Sequence, residues 1–312
     1  MILTVANHSA MIVCSDDAVI IYPSTYNKQK VQQTINSVTD HTTILIKPGI
    51  YTESLVIEYK FVSIIAQNLD QVVEFQPLLN NIAILHRNGG GGGQVKGIVF
   101  TGKTATGISG SRNDQEKPSG MIEISNCTFI DIGNGVINRF THISIVRVSV
   151  SRAQWFSIEL RSLVKDLITT VHDTFLLDSG NELILHETDD IFISNLFVVI
   201  VRDSLIRNAR PKSDGTYSDG FVAMKNKEPI ELRTSAVYNN YRAGISVWGG
   251  RLIVINNCLR GHKFDLNYET FDDISGNLEG STGNVCFDYP PRYICAAVSS
   301  VLEPSRLISP TR

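Results

Sequence analysis

The residues best suited to chemistry lie in the stretch 202–221, RDSLIRNARPKSDGTYSDGF. It brings basic side chains, two carboxylates and one aromatic ring together: Arg207, Arg210, Lys212, Asp214, Asp219 and Tyr217. Paired carboxylates beside basic groups are what acid–base cleavage of a polysaccharide requires. We therefore take Asp214, Asp219, Lys212 and Arg210 as the catalytic candidates. Arg207 and Tyr217 are ligand-binding candidates, because a tyrosine ring can stack on a sugar.

The same stretch also fits two plainer interpretations. Ser-Asp-Gly occurs twice, at 213–215 and 218–220, and this is a common turn sequence. The stretch is thus a catalytic loop, a binding loop or an ordinary surface insertion, and the sequence leaves all three open. Trp248 precedes Gly249 and Gly250, which suggests a shallow exposed groove and makes Trp248 a further ligand-binding candidate.

Other motifs give no reason to expect a metal or a cofactor. The acidic run HETDD at 186–190 is interpreted as solvated surface, and the glycine run at 88–94 lacks the Lys-Ser/Thr continuation of a phosphate-binding loop. The five cysteines are odd in number, scattered and free of any CxxC pair. We expect them to be buried small apolar residues, with neither a zinc site nor a disulfide framework.

The elements that hold these residues follow from an internal repeat. Three segments place apolar residues two apart before an asparagine: MIEISNCTF from Met121, DIFISNLFV from Asp190 and RLIVINNCL from Arg251. Together with weaker copies of the repeat, these segments predict one inward column of five residues, with spacings of 21, 48, 39 and 23: Ile124, Ile145, Ile193, Leu232 and Ile255. A period of roughly 20 to 25 residues is typical of a solenoid. The three aligned asparagines are predicted to face inward at a bend: Asn126, Asn195 and Asn257.

Two solenoids share this period. The full LxxLxLxxN/CxL frame of a leucine-rich repeat is missing, and Ile and Val outnumber Leu at the inward positions. A parallel β-helix, with three short strands per coil, fits better. Val31, Ile35 and Val38 are spaced as on an amphipathic helix, which would cap the first coil. The sequence predicts an all-β, right-handed parallel β-helix solenoid with a short N-terminal capping helix.

A local element supports this fold. The run Ile46-Lys47-Pro48-Gly49-Ile50-Tyr51-Thr52-Glu53 resembles the Ile-x-Pro-Gly-x-Tyr-x-Glu element of the pectate-lyase-like β-helix superfamily. The resemblance implies one domain, with a strand and cap helix at 17–41, coils at 42–288 and a tail or cap at 289–312. That superfamily contains methylesterases, lyases and non-enzymatic β-helices, so the resemblance does not assign chemistry. The Gln-Asp pair expected of a pectin methylesterase is absent.

Composition narrows the possible partners and compartments. A formal net charge of −3 argues against nucleic acid as a partner, and no window reaches the about 18 apolar residues of a membrane span. The first residues lack the basic region of a signal peptide, which predicts a soluble intracellular protein, with an extracellular or virion location left open. Oligomerisation also stays open.

The expected function is a non-catalytic scaffold that binds a protein or a polysaccharide through its wall and loops. It is preferred because no complete catalytic set can be assembled from the sequence. The alternatives are a polysaccharide lyase or glycoside hydrolase that uses the stretch 202–221, and a viral or phage particle component.

Overall fold

The computed structural model describes most of the chain. The described ranges are 18–21, 30–78, 80–87, 92–110, 119–139, 141–162, 168–178, 184–188, 198–210, 219–226, 228–262, 264–271, 273–287 and 297–298. Within them the chain is nearly all β, with a single helix, α1 (Lys30–Ser37). It forms a right-handed parallel β-helix, as the sequence predicts.

Each coil contributes strands to three sheets, and neighbouring strands within a sheet come from successive coils. Sheet A contains eleven strands: β1 (Ala18–Ile21), β2 (Thr42–Ile46), β5 (Val62–Ala66), β8 (Gly93–Lys96), β10 (Ser119–Ser125), β12 (Thr141–Val146), β15 (Ile168–His172), β18 (Val198–Arg202), β21 (Ile230–Arg233), β24 (Arg251–Ile255) and β27 (Asn277–Thr282).

Sheets B and C follow sheet A in every coil. Sheet B is built of short strands: β3 (Gly49–Tyr51), β6 (Val73–Phe75), β13 (Ser149–Ser151), β16 (Phe175–Leu177), β19 (Leu205–Arg207), β22 (Ala236–Tyr238), β25 (Cys258–Arg260) and β28 (Val285–Phe287). Sheet C contains β4 (Leu55–Glu58), β7 (Ile82–Arg87), β14 (Ile158–Ser162), β17 (Ile184–Thr188), β20 (Phe221–Met224), β23 (Ala243–Trp248), β26 (Phe264–Glu269) and β29 (Ala297–Val298). Two long strands, β9 (Val99–Gly110) and β11 (Thr128–Asn138), run through both sheets.

The alternation of apolar and polar residues explains the core. Side chains of a strand point to opposite faces in turn, so β-branched residues two apart line the interior of the coils. The central column of sheet A is fully buried and in register across six strands: Ile124, Ile145, Val171, Val201, Leu232 and Val254. The predicted column is therefore confirmed at Ile124, Ile145 and Leu232. Ile193 lies outside the described residues.

The prediction is wrong at Ile255, which faces outward while Val254 takes its place. The sequence alignment matched Asn257 with Asn126. In the structure Asn256 is the equivalent of Asn126, since these two residues share a left-handed backbone with φ of 54° and 51°. A shift of one residue reverses the face to which every side chain of a strand points.

The bend between sheets A and B repeats one left-handed residue per coil. Asn126, Asp173, Asp203 and Asn256 have φ between 51° and 54°. Asparagine and aspartate adopt this conformation more readily than other residues with a side chain, because their short polar groups can bond locally. The tight turn then sets the direction of the short sheet B strand that follows.

Asn257 follows this bend and faces inward, as predicted. It is buried, its Oδ1 accepts from Ser235 N at 2.9 Å and its Nδ2 donates to Leu232 O at 2.9 Å. Its Nδ2 also donates to Asn284 Oδ1 at 3.1 Å, which links it to the next coil. Asn126 instead turns outward, where its Oδ1 accepts from Arg147 Nε at 2.8 Å. Asn195 lies outside the described residues.

Asn257→Ala should lower the free energy of unfolding by about 1 to 3 kcal/mol, since it leaves buried backbone groups without their partners. Asn277→Ala is the control, because Asn277 is exposed and its side chain bonds only Glu279 among the described residues. Denaturant unfolding measures both. Equal losses would show that burial at the bend is not what makes Asn257 important.

The helix α1 closes the first coil through both of its ends. The Glu53 carboxylate accepts from Val31 N at 3.2 Å and Gln32 N at 3.0 Å, which satisfies amide groups of the first turn. Lys60 Nζ donates to three carbonyls of the last turn, those of Ile35, Asn36 and Val38. The cap helix is thus confirmed, and the last residue of the Ile46–Glu53 element acquires a structural role.

His86 lies in the interior beside Gly110, and neither of its ring nitrogens has a hydrogen-bond partner among the residues that the structure describes. Burial lowers the pKa of His86 from 6.5 to about 4. The unfolded chain therefore takes up a proton near pH 6.5, whereas the folded protein resists it until about pH 4. We expect the contribution of His86 to the free energy of unfolding to be full above pH 6.5. It should fall by about 3 kcal/mol as the pH drops to 4. His86→Leu should remove this part of the pH dependence, and an unchanged pH profile would contradict the assignment.

The cysteines depart from expectation at two positions, since Cys286 is in a disulfide and Cys258 is only half-buried. Cys286 is disulfide-bonded, whereas Cys127 and Cys258 are free. Cys127 is buried, as predicted. Within the described part of the chain, no helix is long and apolar enough to cross a membrane.

Candidate functional site

Asp219, which lies near the end of the chemically richest stretch of the sequence, is two residues before β20 and is 0% exposed. Its carboxylate accepts from both Nε and Nη2 of Arg242, the former at 2.8 Å. It also accepts from Ala243 N at 3.0 Å and from Ser246 Oγ at 2.7 Å. Asp219 therefore lies inside the protein and not in an exposed loop.

Arg242 connects Asp219 to a second carboxylate. Its Nη1 lies 3.3 Å from Glu269 Oε1, which also accepts from Asn267 Nδ2 at 2.7 Å. The guanidinium group lies over the Trp248 ring, 5.1 Å from its centroid. We call this group the buried carboxylate cluster; its members are Asp219, Arg242, Ser246, Asn267 and Glu269.

Sheet C positions the cluster on its outward face. Ser246 is in register with Asn267, and Trp248 is in register with Glu269. Their neighbours Ile245 and Val247 point into the apolar interior, so the alternation of the strand sends the polar residues outward. The outward face of this wall is nevertheless shielded from water, since Arg242 and Glu269 side chains are each only 2% exposed.

The hydrogen bonds and ion pairs within the buried carboxylate cluster limit the reactions in which its side chains can take part. Two carboxylates and one guanidinium group leave a formal charge of −1. The four hydrogen bonds that Asp219 accepts occupy its oxygens. A group that transfers protons must reach the substrate, and Asp219 and Glu269 are both closed off from the surface.

Trp248 does not lie in an exposed groove. It is 1% exposed and packs in a small apolar cluster with Val222 and Met224, against which Phe156 and Phe271 also pack. It therefore cannot stack on a ligand in this arrangement, and its ring supports Arg242 instead.

The arginines of the predicted site stay at the surface. Arg210 Nη2 lies 3.0 Å from Asp178 Oδ1, in an exposed ion pair between successive coils. Arg207 ends β19 and is exposed. Lys212, Asp214 and Tyr217 lie outside the described residues. Of the predicted residues that the structure describes, only Asp219 and Trp248 are brought together on one face.

Sequence reasoning missed the partners of Asp219. Arg242 lies 23 residues after Asp219 and 27 residues before Glu269, so each pair is about one coil apart. That spacing, together with an arginine heading the apolar run of residues 243–248, was the signal that could have identified them.

Sheet B carries a second group on its outward face. Arg207, Tyr238 and Arg260 are in register on adjacent strands β19, β22 and β25. The residues before them, Ile206, Val237 and Leu259, are buried, so these three point outward. Both arginines are exposed, and neither forms an ion pair within the described residues.

No group of three or more histidine, cysteine, aspartate or glutamate side chains in the described ranges is arranged to hold a metal ion.

No protein-family model matches the chain. No curated protein matches its sequence significantly. Among solved structures, it is similar to pectate lyase Pel9A, with a TM-score of 0.57 and 11% identity over 86% of this chain and 80% of that one. An alginate lyase from Paenibacillus sp. str. FPU-7 gives a TM-score of 0.48 and 10% identity, covering 87% of each chain. A mannuronan C-5 epimerase A-module from Azotobacter vinelandii gives 0.44 and 10%, covering 83% of each. The strand topology and the likeness to Pel9A together give the chain a pectate-lyase-like parallel β-helix fold.

Proposed function

We propose that the protein is a non-catalytic β-helix scaffold that binds a protein or polysaccharide partner through an outer wall. The observation that carries this proposal is the state of Asp219. It is fully buried and holds four hydrogen bonds, three of them from side chains. A carboxylate in this state is a structural anchor, not an acid or base.

The wall of sheet B supports binding. It offers two exposed arginines that form no ion pair with any described residue, and a tyrosine between them, on short strands that successive coils hold in register. A rigid sheet fixes the spacing of such groups before the partner arrives, so little conformational entropy is lost on binding.

The second candidate is a polysaccharide lyase or glycoside hydrolase. One observation favours it: Asp219 and Glu269 lie on the same face of sheet C and share Arg242. Two carboxylates with a bridging cation are common in glycoside chemistry, yet both would have to become exposed before they could act. The burial of all three groups makes this the weaker proposal.

Incubation with a panel of neutral and acidic polysaccharides separates the two candidates. Reducing ends report hydrolysis, and ultraviolet absorbance of unsaturated ends reports elimination. The scaffold proposal expects no turnover by the wild-type protein. Turnover that Asp219→Asn abolishes, while circular dichroism shows the fold intact, would establish the enzyme instead.

The disulfide of Cys286 supports an oxidising location, such as the cell exterior or a virion. We propose this location in place of the intracellular one that the sequence favoured, and it agrees with a scaffold that meets its partner outside the cell. Mass spectrometry of protein alkylated in denaturant tests it, because Cys286 is buried in the folded chain: Cys286 should resist alkylation until a reductant is added. Alkylation of Cys286 without reductant would contradict the proposal.

A further inference from the structure

Within the proposed scaffold function, we propose that the outward face of sheet B at strands β16, β19, β22 and β25 docks a partner protein. That partner presents acidic side chains around an apolar centre. We call this face the sheet B wall. Its outward residues used below are Phe175, Leu177, Leu205, Arg207, Tyr238 and Arg260.

The geometry places the two arginines at a fixed separation. Neighbouring strands lie about 4.8 Å apart, so the backbones of Arg207 and Arg260 lie about 10 Å apart. Tyr238 occupies the strand between them. Two guanidinium groups therefore flank one aromatic ring on a flat surface, a spacing that two carboxylates of a folded partner can match.

The Tyr238 ring lies along the wall and does not project into solvent. Its hydroxyl group contacts Cys258 Sγ at 3.4 Å, and Cys258 is an outward residue of the next strand. A ring held in this way has little rotational freedom left to lose on binding. Tyrosine anchors of this kind are enriched among the residues that dominate binding energy at protein interfaces.

Within the described part of the chain, no acidic side chain balances the charge of the two arginines of the wall. Several other surface arginines have acidic partners, as in Arg152 with Asp131 at 2.7 Å and Arg210 with Asp178 at 3.0 Å. Arg207 and Arg260 have no such partner among the described residues. Because guanidinium groups bind carboxylates through two parallel hydrogen bonds, the missing partners are best supplied by acidic side chains.

The apolar residues of the wall favour a protein over a polysaccharide. Phe175 is 53% exposed. Leu205 is in register with Phe175 and Leu177 with Arg207, and both leucines are half-buried. Aromatic residues and arginine are enriched at protein interfaces, whereas lysine and glutamate are depleted there. An aliphatic side chain gains most from contact with another apolar surface, which a polysaccharide offers less well than a protein.

The test uses the full chain and three anionic probes: poly-L-glutamate, a random glutamate–tyrosine copolymer and polygalacturonate. Binding is measured by biolayer interferometry at fixed salt concentration. We expect the copolymer to bind more tightly than poly-L-glutamate, since it supplies both carboxylates and rings. Arg207→Gln with Arg260→Gln should weaken its binding about tenfold. Phe175→Ser should remove the preference for the copolymer.

The matched control is Arg202→Gln with Arg233→Gln. These two exposed arginines also lie on neighbouring strands, but on sheet A and with acidic partners Asp203 and Glu231. The control should leave copolymer binding unchanged. Equal losses in the control and the test variant would overturn the proposal, because the effect would then be one of net charge.

Two further outcomes separate this inference from the scaffold proposal. If polygalacturonate binds as tightly as the copolymer and loses its binding in the Arg207 and Arg260 variant, the wall is a polysaccharide site. The docking inference then fails while the scaffold proposal stands. If the wild-type protein cleaves polygalacturonate, the scaffold proposal itself fails.

Discussion

Arg242→Met is expected to lower the free energy of unfolding by about 3 to 5 kcal/mol, the typical cost of breaking a buried ion pair by removing one partner. Arg242 is the cation shared by Asp219 and Glu269, and all three side chains are at most 2% exposed. Methionine fills much of the volume but leaves two buried carboxylates facing each other. Guanidinium-induced unfolding, followed by circular dichroism, measures the loss.

Two further variants identify the cause of this loss. Arg233→Met removes an exposed arginine that pairs with Glu231, and should cost at most about 1 kcal/mol. Adding Asp219→Asn to Arg242→Met removes one of the two buried charges, so the double variant should be more stable than Arg242→Met alone. A double variant that is less stable would mean that packing of the arginine, and not its charge, stabilises this part of sheet C.

The repeating part of the fold could be predicted from the sequence because it depends on local alternation. Ile124, Ile145 and Leu232 each lie two residues from another apolar residue, and that spacing alone assigns them to the interior. The error at Ile255 arose where two asparagines, Asn256 and Asn257, offered two possible alignments. Because side chains alternate along a strand, such a shift assigns every residue of the strand to the wrong face.

The site was harder to predict because it is assembled from different coils. Asp219 stood out by its neighbours in the sequence, yet its partners Arg242 and Glu269 follow one and two coils later. The burial of Trp248 depends on what packs against the outward face of sheet C, including Phe271. Alternation shows which face of a strand a residue occupies, but not whether that face is covered.

The sheet B wall could not be predicted from the sequence for a related reason. Arg207, Tyr238 and Arg260 are separated by 31 and 22 residues, and nothing in their immediate surroundings marks them as a group. Only the register of the coils aligns them. That Arg207 and Arg260 form no ion pair among the described residues can be recognised only when the positions of the acidic residues are known.

Phe100→Ala is expected to lower the free energy of unfolding by about 3 to 5 kcal/mol, as for other fully buried phenylalanines. Phe100 is 0% exposed and belongs to a ladder of rings on the inward face of sheet B. Its ring centroid lies 6.1 Å from that of Phe75 and 4.8 Å from that of Phe129. The truncation removes contacts to the coils on both sides, and unfolding in denaturant reports the loss.

Phe175→Ala is the matched control, because the same change is made on the outward face of the same sheet. Phe175 is 53% exposed, so its truncation should change stability by no more than about 0.5 kcal/mol. The two variants also separate folding from recognition. Phe100→Ala should weaken the fold, whereas Phe175→Ala should leave the fold intact and reduce binding at the sheet B wall. A large stability loss in Phe175→Ala would show that Phe175 is packed within this chain and is not available to a partner.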